Sequence, residues 1–71
     1  MQTIEVGEPG IRLGQLLKLT GLVDSGGEAK SMLGDGLVRV NGVIETRRGA
    51  QLHPGDLIEV AGLPEGAVQL V

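Results

Sequence analysis

The residues of this chain that offer binding chemistry are cations, and they lie in the middle of the sequence. All six basic residues fall between positions 12 and 48: Arg12, Lys18, Lys30, Arg39, Arg47 and Arg48. Four of the nine acidic residues share that segment, and the other five lie on its flanks. The net charge of −3 therefore conceals a basic centre. An acidic total does not exclude a polyanionic partner if the fold gathers the cations on one side.

Catalytic, metal and disulfide chemistry find little support in the composition. The chain has no Cys and one His, His53, so it offers no metal-ligand set. His53 precedes Pro54 and Gly55 without a nucleophile partner, which favours a turn residue over a general base. Asp56 is expected to shape the same turn. We therefore expect a protein that is not an enzyme and that uses no cofactor or small-molecule substrate.

Length and the absence of aromatic residues narrow the functions further. The 71 residues predict one domain, and no apolar stretch approaches the ~20 residues of a membrane-spanning helix. The acidic start, residues 1–10, lacks the apolar run of a signal peptide. We expect a cytoplasmic monomer with no membrane partner. Because Phe, Tyr and Trp are absent, stacking of nucleic-acid bases on aromatic rings is excluded.

Two short helices precede the strands. Apolar residues at helical spacing predict a first helix over residues 12–20, with Gly21 as its left-handed cap. Its apolar side consists of Leu13, Leu16, Leu17, Leu19 and Leu22. Ser25 and Glu28 form the capping-box pattern of a second helix, which ends at Gly36. The buried positions of this helix are expected to be Ala29, Met32 and Leu33. Together the two helices predict a unit like a helix-turn-helix.

The start of the second helix is a candidate anion site. Ser25, Gly26 and Gly27 have little side-chain bulk, so a phosphate backbone could approach the first helical amides. Each Gly lowers helix stability by ~1 kcal/mol relative to Ala, so the presence of glycine at the start of this helix needs an explanation. A flexible turn that only reverses the chain is the alternative, and the negative charge of Glu28 supports it.

The rest of the chain predicts a small antiparallel sheet and hence an α+β fold. Asn41 and Gly42 between two apolar runs are the signal of a β-hairpin, because both turn positions need positive φ. A loop over residues 47–50 follows, and Pro54 and Gly55 suit a type II turn. The predicted strands are 37–40, 43–46, 57–60 and 67–71, with 62–66 as a connection and 3–6 as a short edge strand.

The ordered series of these motifs resembles the RNA-binding domain named after small-subunit ribosomal protein four, the S-four domain. The series runs over residues 12–60 and comprises Arg12-Leu13, Gly21-Leu22, Ser25, Ala29, Leu33-Gly34-Asp35-Gly36, Val38-Arg39-Val40-Asn41-Gly42 and Gly55-Asp56. The bacterial stand-alone members of the family carry stretches similar to residues 24–30 and 45–48. One departure is Gly26, where the family commonly has Arg, and it puts one phosphate contact in doubt.

The resemblance implies an alpha-L motif whose helix pair and hairpin grip structured RNA, ribosomal RNA or a ribosomal subunit included. We expect RNA contacts from Arg12, Lys18, Ser25, Gly26, Gly27, Lys30, Arg39, Asn41, Arg47 and Arg48. The hypothesis needs Lys18, Lys30 and Arg39 to share a face with the loop over residues 47–50, which we call the arginine loop. Two alternatives stay open locally: residues 47–50 as a merely solvated basic loop, and Arg12 in a surface pair with Glu8.

Two functions of other classes compete with RNA binding. Ubiquitin-like sulfur carriers also have a Val-x-Val-Asn-Gly hairpin followed by a Gly-Asp turn, but they end in Gly-Gly, whereas this chain ends in Gln69-Leu70-Val71. Their single long helix also conflicts with two short helices. A protein-interaction adaptor that keeps the fold without nucleic acid is the other alternative.

Replacing Arg47 and Arg48 together by Ala is expected to weaken binding to a folded RNA. Each phosphate contact contributes roughly 0.7 to 0.9 to the steepness of the log–log salt dependence, so the dependence should also flatten. Fluorescence anisotropy or gel shift across a salt series measures both effects. Unchanged affinity would contradict the assignment of this loop.

Overall fold

The computed structural model describes residues 1–63 and 66–71. Pro64 and Glu65, which belong to the predicted connection over 62–66, lie outside the described residues. Within the described part the helices are α1 (Leu13–Leu19) and α2 (Gly26–Gly34). The strands are β1 (Gln2–Ile4), β2 (Ile11–Arg12), β3 (Val38–Val40), β4 (Val43–Ile44), β5 (Gln51–Leu52), β6 (Leu57–Val60) and β7 (Ala67–Leu70). The predicted α+β class is confirmed.

A five-stranded sheet forms the platform under the helices. Its strand order is β1-β7-β6-β3-β4, and all neighbours are antiparallel except the parallel pair β1–β7. Val38 lies opposite Val60, and Ile58 lies opposite Val68. Because successive residues of a strand point to opposite faces, these four side chains share one face of the sheet. All four are buried.

The helices pack on that buried face through the apolar positions at helical spacing. Leu13, Leu16 and Leu17 are fully buried, and Ala29 and Leu33 join the same core. Leu19 was expected on the apolar side of α1, but 63% of it is exposed. The prediction was wrong because Leu19 lies two residues beyond Leu17, which at ~100° per residue turns it toward solvent.

The helix ends follow the sequence signals closely. Gly21, after the end of α1, has φ +76, and Gly36, after the end of α2, has φ +73. The Ser25 hydroxyl accepts a hydrogen bond from the Glu28 N–H at 3.1 Å, as the capping-box pattern predicts. The Glu28 carboxylate reaches one residue further back than expected and accepts from Asp24 N–H at 3.4 Å.

Asn41 joins the β3–β4 hairpin to the turn before β6. Asn41 and Gly42 have φ 53 and 83, as the predicted hairpin requires. The Asn41 Nδ2 donates to Asp56 Oδ1 at 3.0 Å, and Leu57 N–H donates to Asn41 Oδ1 at 2.9 Å. Asp56 Oδ2 also accepts from His53 N–H at 2.8 Å. The hydrogen bond from Asn41 lowers the pKa of Asp56 below its usual range, against the opposing effect of partial burial.

A second, two-stranded sheet was not predicted. In it β2 pairs with β5, with Ile11 opposite Leu52 and Arg12 opposite Gln51. Each strand has only two residues, so neither shows an alternating pattern that a sequence could reveal. The pairing nevertheless matters for function, because it brings the loop after the hairpin to the start of α1.

Replacing Asn41 by Ala should lower the free energy of unfolding by about 2 to 3 kcal/mol, since it removes two hydrogen bonds and forces Ala into the left-handed region. Asn41→Gly loses the hydrogen bonds but tolerates positive φ, and it should cost less than Asn41→Ala. Urea denaturation of the three proteins measures both differences. Two variants as stable as the parent would show that the Asn41–Asp56 bond does not hold the hairpin.

Candidate nucleic-acid interface

The loop over residues 48–50 is bound to the first turn of α1 by main-chain hydrogen bonds. Leu13 N–H donates to Ala50 O, and Gly14 N–H donates to Arg48 O, both at 2.9 Å. A helix leaves its first amides without acceptors in the helix itself, and here the loop supplies two of them. The β2–β5 pairing continues the same contact. The arginine loop is thereby fixed against α1.

The docked loop brings two arginines from distant parts of the sequence together. Arg12 Nη1 donates to Gly49 O at 2.8 Å across 37 positions of sequence. Arg48 Nη1 lies 3.5 Å from Gly26 O, at the limit of a hydrogen bond. The described residues contain no ion pair between Arg12 and Glu8, which was the alternative for Arg12. Each guanidinium keeps further N–H donors, because arginine has five.

Arg12 and Arg48 line one open cleft of about 270 Å³, together with Lys18. We call this cleft the cationic cleft; its other lining residues are Gly14, Gln15, Gly26 and Gly49. Among the residues that the structure describes, no Asp or Glu lines it. Three of the six predicted cations therefore meet with small and neutral neighbours, and the cleft suits an anion.

The start of α2 forms one wall of the cationic cleft. Gly26 lines the cleft, and Lys30 lies one turn further along the same side of the helix. The Ser25 hydroxyl is occupied by Glu28 N–H, so Ser25 acts as a helix cap. Gly27 is exposed in the first turn, where helical amides have no acceptor within the helix. The predicted Ser-Gly-Gly segment therefore adjoins the arginines.

Arg39 lies away from the cationic cleft, contrary to the expectation of one shared face. In β3 it lies between Val38, which is buried, and Val40, so its side chain points to the sheet face opposite the helices. Its neighbour across the strands is Glu59, and both line a separate depression. Asn41 is also apart, with both polar groups of its side chain bonded to Asp56 and Leu57.

Arg47 forms an ion pair with Glu45, although it is next to Arg48 in the sequence. Its Nη2 lies 3.0 Å from Glu45 Oε1, and its Nε donates to Oε2 at 3.2 Å. The side-chain and main-chain hydrogen bonds from Arg47 lower the pKa of Glu45 from 4.5 to about 2. The same pair raises the pKa of Arg47. Arg47 does not line the cationic cleft.

Three lining residues of the cationic cleft were not among the predicted site residues. They are Gly14, Gln15 and Gly49. Gln15 Oε1 accepts from Arg12 N–H at 3.2 Å and so steadies the start of α1. A glycine inside a helix was the available signal for Gly14, because helices disfavour glycine unless something approaches closely.

The fold is a helix pair on a sheet that carries a hairpin, and Arg12, Lys18 and Arg48 gather in a cleft formed by α1, the start of α2 and the arginine loop. A clustered basic surface of this kind is typical of nucleic-acid-binding proteins. Comparison with known proteins gives the family: residues 4–69 match the model of the S4 domain, the family called S-four above. The chain belongs to the S4 domain family.

Relatives from two bacteria have similar sequences. The Bacillus subtilis (strain 168) "Probable ribosome maturation protein RlbA" is 44% identical over 61 residues, which cover 86% of this chain and 83% of that one. The Escherichia coli (strain K12) "Putative RNA-binding protein YbcJ" is 38% identical over 63 residues, or 87% and 90% of the two chains. The solution structure of YbcJ from E. coli superposes with a TM-score of 0.73 at 38% identity, covering all of this chain and 87% of that one. It is described as revealing an alfaL motif involved in RNA-binding, and this chain has that fold.

Two further structural observations concern membranes and metals. With seven residues in α1 and nine in α2, the helices of the described residues are too short to cross a membrane. Residues 1–63 and 66–71 contain no group of three or more His, Asp or Glu side chains placed to hold a metal ion.

The Glu45–Arg47 pair predicts an unusual acid titration. The Glu45 carboxyl should titrate with a midpoint of about 2, and Arg47→Ala should raise this midpoint toward the ordinary 4.5. Because the folded pKa is lowered, the stability that the pair adds is complete above the ordinary pKa of 4.5 and is lost as pH falls toward 2. Carboxyl carbon shifts in an NMR pH titration measure the midpoint. Arg48→Ala is the matched control and should leave it unchanged; a parent midpoint near 4.5 would refute the pairing.

Proposed function

We propose that the protein is a non-catalytic RNA-binding module that recognises structured RNA at the cationic cleft and the start of α2. The observation that carries this proposal is the meeting of Arg12, Lys18 and Arg48 in one cleft, which no carboxylate of the described residues lines. Residues 1–71 act as one binding unit. The proposed contacts are Arg12, Lys18, Gly26, Gly27, Lys30 and Arg48, with Ser25 as the cap that orders the helix.

Phosphate is the chemical group that this surface suits best. A planar guanidinium donates two parallel hydrogen bonds to phosphate oxygens, and Lys18 adds a compact charge. The first amides of α2 lie at the positive end of the helix dipole, and both the amides and the dipole favour an anion beside Gly26. These groups belong to two helices and a loop. They can therefore all bind phosphate at once only if the RNA has phosphates at matching positions in space.

The composition favours folded RNA over single strands. Single-strand binders gain roughly 1 to 3 kcal/mol per base from aromatic stacking, and this chain has no aromatic residue. The proposed contacts include only four cations, so binding to arbitrary RNA should be weak, on the order of 10⁻⁴ to 10⁻⁶ M at physiological salt. Tight binding therefore requires an RNA whose folded shape places several phosphates against the cleft at once.

The relatives suggest the kind of RNA. The B. subtilis relative is named a probable ribosome maturation protein and the E. coli relative a putative RNA-binding protein. We therefore propose ribosomal RNA, within a ribosomal subunit or its precursor, as the partner. The sulfur-carrier alternative loses its support, because those carriers have one long helix, whereas the described residues form two short ones. The protein-binding adaptor has less support than RNA binding, because it does not account for a cleft lined by cations and by no carboxylate of the described residues.

Arg48→Ala should weaken binding to purified bacterial ribosomal RNA about tenfold, because it removes a charged hydrogen bond to phosphate. The slope of log K against log salt should fall by roughly 0.7 to 0.9. Arg39→Ala is the matched control: it removes the same charge from the opposite sheet face and should change affinity less than about twofold. Filter binding or anisotropy over a salt series gives both quantities.

Equal losses for the two variants would contradict the cleft and indicate a diffuse attraction to net charge. The same titration with poly(U) tests shape recognition, since folded ribosomal RNA should bind more tightly than the unstructured strand at equal salt. Indistinguishable affinities for the two RNAs would overturn the proposal that structure is recognised.

A further inference from the structure

The side chain of Arg48 crosses α1 at a glycine. A Cβ atom built at Gly14 would collide with Arg48 Cγ and would lie 3.1 Å from Arg48 Cδ. It would also lie 3.3 Å from Arg48 O, the carbonyl that accepts from Gly14 N–H. The near part of the arginine stem and the main chain of its loop thus both occupy space that any other residue at position 14 would need.

A second glycine lies at the far end of the same side chain. A Cβ atom at Gly26 would lie 3.4 Å from Arg48 Nη1, in ordinary van der Waals contact with the guanidinium. Gly14 belongs to α1 and Gly26 to α2, so the arginine passes over one helix and ends beside the other. The family commonly has arginine at position 26; here a guanidinium from another segment lies next to that position.

Gly14 is otherwise an unfavourable choice. It lies inside α1 without positive φ, so the backbone conformation does not require glycine. Helix propensity alone would favour Ala at such a position. Gly34 in α2 offers a contrast, since nothing lies within 4 Å of a Cβ built there. The close approach of Arg48 is the feature that distinguishes Gly14.

We infer that Gly14 is a positioning residue for RNA binding: it opens the path by which Arg48 crosses α1 and holds its guanidinium in the cationic cleft beside Gly26. Gly14 itself offers no group that binds RNA. This inference rests on the proposed function, because it assigns a role to Arg48 in the cleft. It adds that the conformation of Arg48, as well as its charge, determines affinity.

The test is a double-mutant cycle of Gly14→Ala and Arg48→Ala, read out by binding and by thermal stability. Gly14→Ala should weaken binding to purified bacterial ribosomal RNA several-fold, to an extent approaching the roughly tenfold loss of Arg48→Ala. In the Arg48→Ala background, Gly14→Ala should cause no further loss of affinity, because the side chain it displaces is gone. Gly34→Ala, the same substitution in α2, should leave affinity unchanged.

Stability supplies an independent measure on the same four proteins. With Arg48 present, Gly14→Ala introduces a collision with the arginine stem and should lower the melting temperature. With Arg48 truncated to Ala the stem is absent and only the main-chain carbonyl at 3.3 Å remains, so Gly14→Ala should lower the melting temperature less. Equal changes in the two backgrounds would show that Gly14 is needed by the main chain and not by the Arg48 side chain.

The outcomes separate the two proposals. If Arg48→Ala leaves affinity unchanged, the proposed function of the cleft fails. If Arg48→Ala weakens binding but Gly14→Ala binds like the parent, the cleft stands and the positioning role of Gly14 is overturned. Equal additional losses from Gly14→Ala in both backgrounds would overturn it as well, because the effect would then not pass through Arg48.

Discussion

The main-chain hydrogen bonds between α1 and the loop over residues 48–50 are the constraint on which the proposed site depends. Leu13 and Gly14 donate their amides to Ala50 O and Arg48 O, and the β2–β5 pair extends the contact. Without this docking, Arg12 and Arg48 would belong to unrelated parts of the surface. The amides of the first turn of α1 are thus bonded to the loop, and this bonding places the Arg48 guanidinium beside the helix.

The sheet divides the charges of the protein between two faces. Helices and cationic cleft lie on one side, whereas Arg39 and Glu59 lie opposite each other on the other. The Glu45–Arg47 pair keeps a further cation bound to a carboxylate outside the cleft. A chain with a net charge of −3 can therefore offer a local positive surface, since opposite charges are paired or placed elsewhere.

The sequence predicted those elements that local signals specify. The Ser25 cap, the positive φ of Asn41 and Gly42, and the apolar spacing of Leu13, Leu16 and Leu17 each act within a few residues, and each was found as expected. The two-residue strands of the second sheet escaped prediction because their pairing depends on tertiary contacts alone.

The sequence predicted which types of residue form the candidate site, but not which of the predicted cations lie together. A basic loop of two adjacent arginines gives no sign that one arginine binds Glu45 and the other crosses α1, because that depends on how the loop docks. Arg39 illustrates the same limit. Its strand position was predicted, but it was expected on the same face as the arginine loop, and the side on which the helices pack had to come from the structure.

In the proposed complex, RNA contacts the face where α1, α2 and the arginine loop converge. Backbone amide resonances of isotopically labelled protein, followed by NMR during titration with folded ribosomal RNA fragments, test it most directly. We expect shifts or broadening confined to residues 12–18, 26–30 and 48–50, with Arg39, Ile44 and Glu59 unaffected. Perturbations concentrated on Arg39, Ile44 and Glu59 would contradict it.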